Sequence, residues 1–108
     1  MHISFNSRHL RDICESESCA NKILGAEVSA KLLSRLFDIN AARNVWGLPV
    51  GKPEKRFQGK EEYIILRLSN DVHMGFVCGH TVQPKNEENS IDWNVVSRIK
   101  LMFIGDEK

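Results

Sequence analysis

The sequence predicts an α+β fold, with two N-terminal helices packed on one face of a mostly antiparallel sheet. Three observations carry this. From Ala26 to about Asn44, Val28, Leu32, Leu36 and Ile39 recur at helical spacing. Residues 61–80, EEYIILRLSNDVHMGFVCGH, switch to the two-residue period of strands and break at Ser69, Asn70 and Asp71. The closing run RIKLMFI, residues 98–104, has the length and composition of a strand buried on much of both faces, which places it centrally in the sheet. Helical pattern early and strand pattern late is the order expected when helices cover one side of an antiparallel sheet.

The remaining elements follow in chain order. HISF at 2–5 reads as a short strand, and Asn6 or Ser7 can cap a helix over about Arg8–Glu15, after which a polar loop is expected. In the long helix, Ala30, Leu33, Phe37 and Ala41 widen the apolar stripe. Glu27, Lys31, Arg35 and Asp38 take the opposite, solvent-facing side, where Glu27 and Lys31 are four residues apart in the favourable order. Gly47, Pro49, Gly51 and Pro53 then form a turn-rich connector.

In the hairpin, Ile64, Leu66, Leu68, Met74, Phe76 and Cys78 form an all-apolar set for the helix side, and Tyr63, Ile65, Arg67, His73, Gly75 and Val77 are left for the other. Keeping the apolar set together pairs Leu68 with Met74, Leu66 with Phe76 and Arg67 with Gly75. His73 then shares a face with Arg67, and Gly75 leaves room beside them for a phosphate. Asp92–Val95 reads as a brief turn or helical step. In the last strand Ile99, Leu101 and Phe103 are expected toward the helices. Lys100, Met102 and Ile104 take the open face, continued by Asp106 and Lys108 as a charged rim.

Length and composition bound the function. A chain of 108 residues suits one domain spanning 1–108, and 42% hydrophobic with 27% charged residues is the balance of a globular protein. No apolar stretch is long enough to cross a membrane, and MHISFNSRHL has polar residues where a signal peptide needs apolar ones, so a cytoplasmic chain is expected. Cys14, Cys19 and Cys78 lack any CxxC pairing, which argues for reduced thiols. Alternation puts His73 opposite in face to Cys78, so with His80 they do not build a metal site; His80 reads as a surface or loop residue. Trp46 and Trp93 read as packing residues.

With a net charge of +1, nucleic-acid binding requires a local patch. GKPEKRFQGK, residues 51–60, supplies one: Lys52, Lys55, Arg56 and Lys60 stand against Glu54 alone, in a stretch that equally reads as a solvated basic linker.

Taken together, SFNSRHLRDICES, LGAEVSAKLLSRLFDINAARNVWGLPVGKP, the hairpin and IDWNVVSRIKLMFIGD resemble a longer HigB-type subgroup of the RelE/HigB-like killer toxins of type II toxin–antitoxin systems. The resemblance covers nearly the whole chain and rests on order and spacing rather than on one short motif. It implies a RelE-like fold and a metal-independent, cofactor-free endoribonuclease that cuts messenger RNA at the ribosome. It also implies inhibition by a cognate helix-turn-helix antitoxin.

Carried over residue by residue, Arg67 matches a hairpin arginine that holds phosphate, and Lys55, Arg56 and Lys60 fall in the basic turn that grips RNA. His73 stands where relatives more often have a second arginine. The closing Asp-Tyr-His of many relatives is replaced by Asp106, Glu107 and Lys108. The catalytic set implied here is therefore Arg67, His73, Asp106 and Lys108. The missing Tyr-His leaves open an alternative, a catalytically weakened or inactive module on the same scaffold that binds a protein or RNA partner.

Overall fold

A computed structural model describes residues 1–105. In chain order it runs β1 (His2–Phe5), α1 (Arg8–Glu15), α2 (Glu17–Leu24), α3 (Ala26–Ala41), a single 3-10 turn (Val45–Gly47), β2 (Glu54–Gln58), β3 (Glu61–Arg67), β4 (His73–Cys78) and β5 (Arg98–Gly105). The strands form one sheet in the order β1-β5-β4-β3-β2, antiparallel except where β1 runs parallel to β5. The α+β class holds, with the helices in the N-terminal half, but there are three helices rather than two. The closing strand is interior, between β1 and β4.

The additional helix, α2, occupies the expected polar loop. Its start is set by Ser16, whose side chain accepts from the Cys19 N–H at 3.2 Å, and its end by Gly25 at φ 86°. Eight residues make a marginal helix in isolation. Burial of Ala20 and packing of Cys19 and Leu24 against the core supply what propensity does not. A stripe that short, with a small residue at its centre, reads from sequence as a loop. Ser7 caps α1 in the same manner, accepting from Leu10 N–H at 3.2 Å.

α3 sits rotated from its expected orientation. Leu32 and Ile39 are buried, but Leu33 and Phe37 are 51% and 68% exposed, while Arg35, placed in solvent by the charge pattern, is only 8% exposed. Arg35 lies three residues after Leu32 and four before Ile39, so it shares their stripe and goes inside when that stripe docks. Leu10, Ile13, Leu32 and Ile39 from the helices meet Ile64, Leu66, Met74, Phe76, Ile99 and Leu101 from one face of the sheet.

The hairpin keeps its predicted faces but not its predicted pairs. Leu66 stands opposite Met74, Ile65 opposite Gly75 and Arg67 opposite His73. Leu68 N–H donates to Val72 C=O at 2.9 Å, which leaves Ser69, Asn70 and Asp71 as the connection. Both registers put the same six apolar residues inside, so burial could not choose between them; the turn did.

β5 departs from strict alternation. Phe76 pairs with Leu101 and Gly75 with Phe103, so Met102 is the extra residue of a β-bulge. From that point the faces exchange: Phe103 turns to the open side and Ile104 to the core, the reverse of the expected arrangement. The basic turn is also mostly strand. Residues 54–58 form the edge strand β2, and only Gly59, at φ 64°, and Lys60 make the turn into β3.

The segment 80–97, which carries few regular elements, is pinned to the sheet by one carboxylate. Glu62, 7% exposed, accepts from Ile91 N–H at 2.9 Å and Trp93 Nε1–H at 3.4 Å, and pairs with Lys55 Nζ at 3.0 Å. Trp93 is buried as expected, whereas Trp46 is 44% exposed.

Candidate functional site on the open sheet face

The face of the sheet away from the helices follows from the register. It receives Glu54 and Arg56 from β2, Tyr63, Ile65 and Arg67 from β3, His73, Gly75 and Val77 from β4, and Arg98, Lys100 and Phe103 from β5. At its centre the Phe103 ring lies directly on the backbone of Gly75, so close that a Cβ there would overlap the ring. The space expected beside Gly75 for a phosphate is therefore filled by an aromatic side chain. Ile65 and Val77, each 6% exposed, show that the middle of this face is covered despite facing away from the helices.

Arg67 and His73 are direct cross-strand partners, closer than the diagonal arrangement expected. Arg67 is fixed at both ends: its backbone N–H donates to Gly51 C=O at 2.8 Å, and its Nη2 donates to Asn70 Oδ1 at 2.7 Å. His73 lies between Arg67 on one side and Gly105 on the other. Its Nδ1 is buried and has no hydrogen-bond partner among the described residues. A fixed guanidinium beside an imidazole can neutralise an anion and exchange a proton with it, an exchange that has to run through Nε2 because Nδ1 is closed to a ligand.

The other expected site residues do not converge on this pair. Lys55 points to the helix side, tied to Glu62, with its ammonium 5.5 Å from the Phe57 ring centre. Arg56 is on the open face but pairs with Glu54, and Lys60 lies in the exposed β2–β3 turn. The three cations thus belong to two faces and a turn rather than to one patch. Asp106 and Lys108 lie outside the described residues. Among the described residues no cluster of histidine, cysteine and acidic side chains is arranged to hold a metal ion. His80 sits in the loop after β4, where its Nε2 accepts from Ser97 N–H at 3.0 Å.

Two cations of this face carried no expected role. Arg98 and Lys100 alternate with core residues along β5; Lys100 was expected on the open side, and the same alternation carries Arg98 there. Buried Arg35 gave no such signal, because a charged residue on a helix normally reads as solvent-facing. Cys14 and Cys19 are half-buried and Cys78 buried, all as free thiols. Burial, with the Glu15 carboxylate nearby, pushes the Cys14 thiol up to about 12. No helix among the described residues is long and apolar enough to cross a membrane.

No family model, curated protein or solved structure matches this chain.

Proposed function

We propose that the chain is a RelE-like toxin of a type II toxin–antitoxin system. In this reading it is a cytoplasmic, metal-independent endoribonuclease that cuts messenger RNA at the ribosome and is silenced by a helix-turn-helix antitoxin. The observation that carries the reading is the pairing of Arg67 with His73 on an open sheet face that also presents Arg56, Arg98 and Lys100. RNA can be cut at such a site by its own 2′-hydroxyl. His73 takes the hydroxyl proton as the oxygen attacks phosphorus, Arg67 balances the charge growing on the phosphoryl oxygens, and the P–O5′ bond breaks as the 5′-oxygen takes a proton from water, to which His73 then returns its own. The products are a 2′,3′-cyclic phosphate and a 5′-hydroxyl.

Expression of the chain without a partner is expected to arrest growth and cleave messenger RNA, with cleavage in vitro unaffected by a chelator. Arg67→Gln and His73→Gln are each expected to lower cleavage about 100-fold or more while leaving the circular dichroism spectrum unchanged. Cleavage at the parent rate by both variants overturns the assignment.

A second reading has its own support. Phe103 fills the space beside Gly75, and Glu107 and Lys108 stand where the resemblance calls for Tyr-His. Both favour a non-catalytic RNA-binding module. That reading predicts RNA binding with no growth arrest and no cleavage, so the same experiment separates the two.

A further inference from the structure

We propose that the cavity bounded by α3, the Leu48–Pro53 connector and the β3–β4 turn is a binding site for a phosphate group, with Arg35 at its base. The cavity measures about 730 Å³. Four cations line it, Lys31, Arg35, Lys52 and Arg67, against two carboxylates, Glu27 and Asp71.

Arg35 is the decisive residue. Its side chain is only 9% exposed, and its Nε has no hydrogen-bond partner. Its ion pair with Asp38 is long at 3.6 Å, and Nη2 reaches Arg67 C=O only at 3.4 Å. The connector closes over it at Gly51, φ 100°, where a Cβ would stand 3.2 Å from Nε. A guanidinium removed from water needs close, well-directed acceptors, and those present are at the outer limit of hydrogen-bonding distance. Nε itself is covered by Gly51, so an anion in the cavity supplies closer acceptors to the terminal nitrogens.

The charge balance favours an anion. With Asp38, which pairs with Arg35, counted beside Glu27 and Asp71, the four cations keep a surplus of one positive charge, and their N–H groups suit the oxygens of a phosphate. The lining includes no aromatic ring on which a base could stack. Recognition therefore centres on the phosphate, carried either by a free 5′-nucleotide or by the 5′ end of an RNA. The site shares Arg67 with the open face but does not use His73, so phosphate binding here is tested apart from cleavage.

Two-dimensional amide NMR of the full chain tests this. Adenosine 5′-monophosphate is expected to give saturable shifts at Lys31, Gly51, Lys52 and Ser69, with adenosine giving none there. Lys52→Gln is expected to weaken that binding about tenfold, the scale of one charge-assisted hydrogen bond. Arg35→Gln is expected to abolish it. Should that buried substitution unfold the protein, Lys52→Gln and Lys31→Gln carry the test alone. A hexaribonucleotide with a 5′-phosphate that binds tighter than the mononucleotide identifies an RNA end as the source. Equal or weaker binding identifies the free nucleotide. Equal shifts with adenosine and its monophosphate, or unchanged affinity in both lysine variants, overturn the proposal.

Discussion

Lys55 is joined to Glu62 at 3.0 Å, on the helix side of the sheet, so one of the three residues expected to grip RNA helps hold the fold instead. Glu62 is nearly inaccessible, and burial alone raises the affinity of its carboxyl for a proton. The Ile91 N–H, Lys55 and Trp93 outweigh that and hold it below its ordinary 4.5. A carboxyl whose folded value is depressed adds stability above its unfolded value and loses it as pH falls through the folded one. The melting temperature is therefore expected to decline below about pH 4.5. Glu62→Gln should remove that part of the slope while lowering stability at neutral pH by about 1–3 kcal/mol. Thermal melts from pH 3 to 7, followed by circular dichroism, check both; parallel curves for parent and variant contradict the role given to Glu62.

Splitting the basic residues between faces gives a second test. If RNA lies on the open face, Arg98→Gln and Lys100→Gln should each weaken RNA binding uniformly across sequences and lower the salt dependence by about one unit of slope. Lys55→Gln should instead lower the melting temperature and leave the slope unchanged. Filter binding across a salt series distinguishes them, and an unchanged slope in the Arg98 and Lys100 variants removes RNA from this face.

These assignments show where the sequence was legible. Face membership in the hairpin followed from six apolar residues that had to stay together, so Arg67 and His73 were correctly placed on one side. The exact pairing was not legible, since a shift that keeps every apolar residue inside costs nothing in burial. The same limit applied at Met102, where a bulge exchanges Phe103 and Ile104 without any local sequence mark. Arg35 was misplaced because charge was weighed above its position between Leu32 and Ile39. The helix α2 was missed because only Ala20, a small residue, is fully buried on it.

The thiols differ in a way that chemistry can read. With its proton held up to about 12, Cys14 has a thiolate fraction at pH 8 of about 1 in 10,000. Iodoacetamide at that pH is expected to leave Cys14 unmodified in the folded protein and to alkylate it promptly in denaturant. Peptide mass mapping reads this directly. Rapid native-state labelling of Cys14 shows that the α1–α3 packing around it is open in solution.

The final test concerns the centre of the open face. Phe103 rests on Gly75 only because the Met102 bulge turns it there and because glycine has no Cβ to stop it. Gly75→Ala forces the ring away or bends the strand, at an expected cost of about 1–3 kcal/mol. Removing the ring first eliminates the clash, so Phe103→Ala should make the glycine substitution nearly harmless. The double variant is then more stable than the sum of the single costs predicts, by about 0.5–3 kcal/mol. Denaturant titrations of the four proteins measure that coupling. Additive costs mean the ring does not sit on Gly75 in solution, and the phosphate-sized space beside Arg67 and His73 is open after all.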